Sequence, residues 1–158
     1  MSGLANSRWQ PTKKVLPGAA GDVVQVISWT DACGEAAVTR AIPVPPQPNP
    51  PATQSFPPPR QGLAATSTSW PQKLAVSPDG SRVLVALNLA NSAAIIDVGA
   101  SDAVRYVTTG SYPFGAAILP DGCTGPIRNE AAGTLSVIDL VNATKLADIT
   151  VGAPLSHP

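Results

Sequence analysis

Charged and aromatic residues are scarce in this 158-residue chain, and their scarcity excludes several classes of protein. Charged residues make up 13% of the chain and aromatic residues 4%, whereas hydrophobic residues make up 44%. The ten basic and ten acidic residues balance each other, so charge gives no basis for predicting nucleic acid or an anionic membrane as a partner. The hydrophobic fraction is large enough for a core, which must be built mainly from small aliphatic residues.

Long apolar runs, cysteines and histidines are equally few. No stretch of about 18 apolar residues occurs, so we predict no membrane span. The first ten residues lack the apolar segment of a signal peptide. The only cysteines are Cys33 and Cys123, which do not make a disulfide framework, and the single histidine leaves no zinc-ligand pattern. Glycine-flanked serine nucleophiles, phosphate-binding loops and HExxH motifs are absent from the sequence as well.

What the sequence does contain is a repeat. Each unit has short apolar runs separated by turn residues, and a turn of the type Ser-Pro-Asp-Gly joins the first two strands of the first unit. A period of about 40–45 residues is typical of one four-stranded blade of a β-propeller. Three landmarks recur at an interval of 42 residues: Asp79 with Asp121, Asp97 with Asp139, and Gly110 with Gly152.

The pattern predicts strands at residues 73–77, 82–87, 93–98 and 104–108 of the first unit, and a hairpin at 22–29 and 36–44. In the second unit it predicts strands at 116–119, 125–128, 134–140 and 145–151. We expect the strand at 125–128 to be short or irregular, because Gly125 and Pro126 weaken a ladder. The hairpin also fits the repeat as the outer half of a preceding blade.

These elements divide the chain into five segments. Half of the eighteen prolines lie in residues 43–59, without a charged residue among them. This stretch is read as a stiff connector, or alternatively as a ligand for an SH3-like or WW-like groove. The predicted segments are 1–21, irregular; 22–44, the hairpin; 45–69, a proline-rich linker; 70–111, a blade; and 112–158, a second blade.

The predicted fold class is therefore all-β. It consists of antiparallel four-stranded β-propeller blades, two of them full and one partial, in an incomplete, open propeller. Closed propellers have roughly four to eight blades, so we expect a fragment, a truncated product, or a chain that another chain completes. The repeat places Cys33 and Cys123 about two blades apart, and we predict that both are free.

The repeat resembles the YVTN-type β-propeller repeat. Val76-Ser-Pro-Asp-Gly80 and Ala94-Ile-Ile-Asp-Val98 carry the likeness, as do Pro120-Asp-Gly122 and Ser136-Val-Ile-Asp-Leu140. The second half of the chain also resembles the propeller half of bacterial proteins in which a phosphoesterase domain of the alkaline-phosphatase type follows. That likeness rests on Gly110-Ser-Tyr-Pro-Phe-Gly115, Asn129-Glu-Ala-Ala-Gly133 and Leu155-Ser-His-Pro158.

This resemblance implies an exported protein, while the N-terminus shows no signal peptide, so the compartment stays open. It transfers no catalytic residue, because the phosphoesterase half has no counterpart in this sequence. Some related propellers hold a modified haem, but His157 alone gives little basis for that, and we expect no cofactor and no metal.

Blade topology predicts which polar residues meet. The second turn of a blade and the connection to the next blade lie at the same end of the strands, which we call the loop face. The candidates for binding a small polar ligand there are Asn88, Asn91, Tyr112, Asn129, Glu130 and His157. The alternative is structural, with the asparagines bonding turn backbone, Glu130 solvated and Tyr112 packed between blades, where Trp70 lies one period earlier.

Four aspartates recur with the repeat and are predicted to stabilise turns rather than to form a carboxylate pair or a cation site. They are Asp79, Asp97, Asp121 and Asp139.

Two functions remain at this point. The first is a non-catalytic propeller segment that serves as a binding or assembly module, with a protein partner or self-association completing the propeller. The alternative is the propeller part of a phosphoesterase whose catalytic domain is missing from this chain. The sequence offers no basis for an enzymatic activity of this chain alone.

Overall fold

The computed structural model describes residues 7–13, 22–29, 36–46, 69–98 and 102–153. These residues form three antiparallel sheets, and in each sheet the strands are ordered as they follow in the sequence. A 3₁₀ turn at Asn88–Ala90 interrupts the otherwise extended structure. No helix within the described ranges has the length and apolar character needed to cross a membrane.

The first sheet, called here the N-terminal sheet, has three strands. They are β1 (Ser7–Lys13), β2 (Asp22–Trp29) and β3 (Ala36–Pro43). The hairpin of β2 and β3 was predicted, but the expectation that residues 1–21 are irregular is wrong for β1. That strand contains Pro11 and little apolar alternation, and it forms because it pairs with β2 from Ser7 to Lys13.

The two other sheets are four-stranded and are called the first and second blade. The first blade consists of β4 (Pro71–Val76), β5 (Arg82–Leu87), β6 (Ser92–Asp97) and β7 (Ala103–Thr108). The second consists of β8 (Pro113–Ala116), β9 (Thr124–Asn129), β10 (Thr134–Asp139) and β11 (Thr144–Thr150). The predicted strands are present in both blades, with ends shifted by up to three residues.

The 42-residue period is visible in the backbone itself. Residues with positive φ recur at the same places in both blades, where an L side chain is normally disfavoured. The pairs are Trp70 and Tyr112 (φ 51° and 55°), Gly80 and Gly122 (73° and 67°), and Asn91 and Gly133 (47° and 63°). Equivalent backbone hydrogen bonds also close the loop-face turn of each blade. Asn88 N donates to Trp70 O in the first blade and Glu130 N donates to Tyr112 O in the second, both at 3.0 Å.

Strand β9 differs from the expectation that it would be short or irregular, because all six of its residues pair with β10. The Pro126 carbonyl accepts a hydrogen bond from Ala117 N at 3.1 Å, so the backbone groups of Pro126 point toward β8. The last β8–β9 pair is Ala116 with Ile127. The proline therefore removes no hydrogen bond from the β9–β10 ladder.

The N-terminal sheet repeats the outer part of a blade. The register between β2 and β3 shifts between Val26 and Ile27, and that between β10 and β11 shifts between Val137 and Ile138. These are the positions that coincide when residues 25–29 are aligned with 136–140. β2 and β3 thus correspond to the third and fourth strands of a blade, and β1 to the second.

The core lies between the sheets rather than inside one of them. One buried cluster joins the N-terminal sheet, including Val24 and Ile42, to the first blade, including Val85 and Ile96. The other joins the first blade to the second. Its buried members are Leu84, Ala86, Ala93, Ile95, Val107, Ile127, Ile138 and Leu140. The three sheets therefore stack face to face, each covering the next.

Candidate functional site

The loop face brings together four of the predicted ligand-binding residues. Asn88 Nδ2 donates to the Pro113 carbonyl at 3.1 Å, and Asn91 Oδ1 accepts from Tyr112 N at 3.0 Å. Because Tyr112 O in turn accepts from Glu130 N, the turns of the two blades form one hydrogen-bonded row. Both asparagine side chains stabilise the entry into the second blade, as the structural alternative predicts.

Asn129 lies deeper than the sequence suggested, because its side chain is fully buried between the blades. Its Nδ2 donates to Thr134 Oγ1 at 3.0 Å and to Ser136 Oγ at 2.8 Å. The Ser136 hydroxyl donates to Asp148, which also pairs with Lys145. Asn129 thus belongs to a polar network that runs across the second blade. Its Oδ1 is buried without a partner within the described part of the chain.

The remaining candidate, His157, lies outside the described residues, as does Cys33. Cys123 is free and exposed, in line with the prediction for that residue. Among the described residues, no group of three or more His, Cys, Asp and Glu side chains could hold a metal ion. Binding of a small polar ligand at the loop face stays a prediction.

Three of the four repeated aspartates stabilise their turns as predicted. Asp79 Oδ1 accepts from Ser81 N at 3.0 Å, Asp121 Oδ1 from Cys123 N at 2.8 Å, and Asp139 Oδ1 from Val141 N at 2.8 Å. Hydrogen bonds to the charged form favour it, and they lower the pKa of all three carboxyl groups. For Asp79, where the Ser77 hydroxyl is the main cause, the pKa falls to about 2.

This hydrogen-bonding pattern predicts how the Asp79 turn responds to acid. The folded pKa of about 2 lies below the ordinary 3.8, so the stabilisation is complete above pH ~4 and is lost as the pH falls through the folded pKa. Replacing Ser77 with alanine should raise the pKa of Asp79 toward its ordinary value. Carboxyl ¹³C chemical shifts measured against pH report this directly.

The control for this titration is Asp121, whose lowered pKa is due mainly to the Cys123 amide and should not change in Ser77→Ala. A wild-type Asp79 that titrates near 3.8, or one that Ser77→Ala leaves unchanged, would contradict the role of the hydroxyl.

Asp97 behaves differently from the prediction, because its carboxylate binds arginine side chains instead of its own turn. Arg105 donates to both carboxylate oxygens, from Nε at 2.9 Å and from Nη2 at 3.0 Å. The same guanidinium crosses to the second blade and donates to the carbonyls of Leu140 at 2.9 Å and Val141 at 2.7 Å. Arg105 is therefore an inter-blade clamp held in orientation by Asp97.

Sequence reasoning missed this clamp, although a signal was available. In the repeat alignment Arg105 falls at the position of Arg40, which also crosses to the next sheet and pairs with Asp102 at 2.6 Å. The equivalent residue of the second blade is Ala147. The first two sheets thus carry an arginine that reaches the following sheet, and the third does not.

The most informative surface is the face of the second blade that points away from the first, here called the open face. Its apolar residues are Leu135, Val137, Ile149 and Val151. Leu135 and Val137 are half-buried, while Ile149 is 50% and Val151 54% exposed. All of β11 is exposed.

The same positions are buried in both preceding sheets. One period earlier lie Ala93, Ile95, Val107 and Thr109, and one further back Val24, Val26, Ile42 and Val44, all of them buried. An apolar face that the next sheet covers twice therefore has no covering sheet, among the residues that the structure describes, at its third occurrence. Isolated apolar residues are common on protein surfaces, whereas contiguous apolar faces are not.

Comparison with known proteins supports the fold alone. No family model matches the chain, and no curated protein matches it. Among solved structures, it is similar to hydrazine synthase of Kuenenia stuttgartiensis (TM-score 0.54, 26% identity, covering 60% of this chain and 27% of that one). It is also similar to a periplasmic gluconolactonase of Pseudomonas aeruginosa, with a TM-score of 0.56 and 20% identity over 85% of this chain and 35% of that one. A putative 6-phosphogluconolactonase of Bacteroides fragilis gives a TM-score of 0.55 and 17% identity over 91% of this chain and 40% of that one.

The chain thus spans between 27% and 40% of the length of these structures. The neighbours include β-propeller-like proteins, and the described sheets are antiparallel, four-stranded where complete, and stacked. The described part of the chain is an all-β, open and incomplete β-propeller.

Proposed function

We propose that this chain is a non-catalytic β-propeller segment that acts as an assembly module, and that the open face is where a further blade docks. The observation that carries the proposal is the uncovered third occurrence of a face that is covered at its first two. Ile149 and Val151 occupy positions where Ile42 and Val44 are at most 4% exposed.

The energetics favour such docking. Burying apolar surface contributes roughly 25 cal/mol per Å², or about 1.5–3 kcal/mol for a fully buried valine, leucine or isoleucine. The open face carries four such side chains, of which Ile149 and Val151 are at least 50% exposed. In repeat proteins each unit gains much of its stability from the interface with the next unit, so a covering blade stabilises this face.

A chain extended by one blade tests the proposal. A second copy of residues 112–153 is inserted directly after residue 153, and the effect of Ile149→Asp in the original second blade is measured with and without the insertion. In the unextended chain Ile149 is half exposed, and the substitution should change the free energy of unfolding by only about 0.5 kcal/mol. In the extended chain it should uncouple the added blade, which would unfold separately at lower urea concentration.

The matched control is Thr150→Asp, which places the same charge one residue away on the other side of the same exposed strand. It should leave the extended chain cooperative. Equal effects of Ile149→Asp in the two backgrounds would contradict docking at the open face.

The finer family assignment and the alternative function are also proposals. The turn in which Ser77 donates to Asp79 at 2.6 Å supports a repeat of the YVTN type. The likeness of residues 110–115 and 129–133 to propeller–phosphoesterase proteins supports the alternative that a catalytic domain belongs with this segment. For the chain alone we expect no hydrolysis of a chromogenic phosphate ester, with or without divalent metal, and metal-dependent turnover would contradict the non-catalytic proposal.

A further inference from the structure

The open face carries one charge that its counterpart in the first blade lacks. Arg128 lies on β9 opposite Leu135 of β10 and is exposed. One period earlier the residue is Ala86, which is fully buried between the blades. A covering blade would therefore enclose a guanidinium where the existing interface encloses a methyl group.

Arg128 has no ionic partner on its own blade. None of the ion pairs within the described ranges includes it. Asp148 of the same blade is paired with Lys145, and the oxygens of Asp139 accept from Val141, Asn142 and the Asn142 side chain. Enclosing an unpaired guanidinium costs free energy, so a covering blade that brings an acceptor for it binds this face more tightly than one that does not.

The existing interface shows where that acceptor would sit. A Cβ on Gly125 would lie 2.5 Å from Leu84 Cδ2, so residue 125 of the second blade faces residue 84 of the first. The second strands of stacked blades run in the same direction, and two residues further along residue 127 faces residue 86. Arg128 lies one period after Ala86. In a covering blade, the residue equivalent to Ile127 would therefore face Arg128.

This position also argues against a second copy of the chain as the partner. In the two blades the position in question is occupied by Val85 and Ile127, which are apolar and already buried. In the N-terminal sheet the strand register places Gln10 there, opposite Gln25. None of these three residues carries a negative charge that would balance the guanidinium of Arg128.

We infer that the partner at the open face is a propeller blade other than the two in this chain, apolar where it meets Leu135, Val137 and Ile149, and carrying a carboxylate opposite Arg128. The inference rests on the proposed function, and it names the partner's chemistry. Because an arginine and a carboxylate enclosed together form charge-assisted, bidentate hydrogen bonds, the pair would select this blade over others with the same apolar face.

The extended chain described above provides the probe. Ile127→Glu is introduced in the inserted copy and is combined with Arg128→Gln in the original second blade. Ile127→Gln in the inserted copy is the control, because glutamine has the shape of glutamate without its charge. We expect Ile127→Glu and Arg128 to show a coupling of roughly tenfold in the unfolding equilibrium constant, and Ile127→Gln to show little.

A charge swap keeps the test decisive if a variant folds poorly. Arg128→Glu together with Ile127→Lys in the copy should be more stable than either substitution alone. Absence of coupling in both the direct and the swapped pair overturns the inference. The proposed function survives that result if Ile149→Asp still uncouples the inserted blade, and falls with the inference if it does not.

Sedimentation of the unextended chain tests whether a second copy of the chain occupies the open face instead. We expect Arg128 to oppose self-association, so that Arg128→Gln increases it. Concentration-dependent dimers that Ile149→Asp abolishes and Arg128→Gln leaves unchanged would make a second copy the occupant and overturn the inference.

Discussion

Replacing Leu84 with alanine is expected to lower the free energy of unfolding by about 2–5 kcal/mol. Leu84 is fully buried in the cluster that joins the first blade to the second. Its side chain fills the space above Gly125, and removing it leaves a cavity between two sheets that the remaining side chains fill only in part. Urea unfolding followed by circular dichroism gives the value.

Two comparisons make this prediction specific to packing between blades. Leu89→Ala, at a leucine that is 45% exposed, should cost only about 0.5 kcal/mol. Gly125→Ala should cost about 1–3 kcal/mol in the wild-type chain because its Cβ would overlap Leu84, and less when Leu84 is already alanine. Additive effects of the two substitutions would contradict direct contact of these residues across the interface.

Replacing Arg105 with methionine is expected to lower the free energy of unfolding by about 2–3 kcal/mol, in the range measured for hydrogen bonds to charged groups. The substitution keeps much of the apolar stem but removes the bonds to Asp97 and to the carbonyls of Leu140 and Val141. Loosening should be concentrated at the end of β10, where those carbonyls lie, and hydrogen exchange at Val141 and Asn142 measures it.

Arg105→Lys separates charge from geometry. Lysine keeps the positive charge but lacks the planar fork that holds Asp97 and both carbonyls together, so it should recover only part of the loss. Arg128→Met is the control for removing an exposed arginine without an ion pair, with an expected change of about 0.5 kcal/mol. Equal effects of Arg105→Met and Arg128→Met would mean that the inter-blade clamp contributes nothing to stability.

Much of the fold could be predicted because the repeat consists of features that are local in the sequence. Turn residues such as Asp79 and Gly80, and alternation such as that of Val83 and Val85, depend on near neighbours in the sequence. β1 could not be predicted in this way, because its residues have little strand character and the strand forms only through pairing with β2. β9 was misjudged for the opposite reason. Gly125 and Pro126 weaken an isolated strand, but here a Cβ at residue 125 would overlap Leu84, and the nitrogen of Pro126 points away from β10.

The candidate site shows the same division. The row of turn residues at the loop face followed from blade topology, and Asn88, Asn91 and Tyr112 do meet there. The open face did not follow from the pattern of residues 135–137 and 149–151, since the same pattern in the preceding sheets is core. Only the number of stacked sheets among the described residues distinguishes a covered face from an uncovered one, and that number is a tertiary property.

The most direct measurement of the central claim is hydrogen exchange along β11 in the unextended chain and in the chain extended by one copy of residues 112–153. The side chains of β11 are exposed, and Ala147 and Ile149 pair with Val137 and Leu135 of β10. If the open face is a docking surface, the amides of Ala147 and Ile149 should exchange much more slowly in the extended chain, and Ile149→Asp should restore fast exchange. Equal exchange rates in the two chains would contradict the claim.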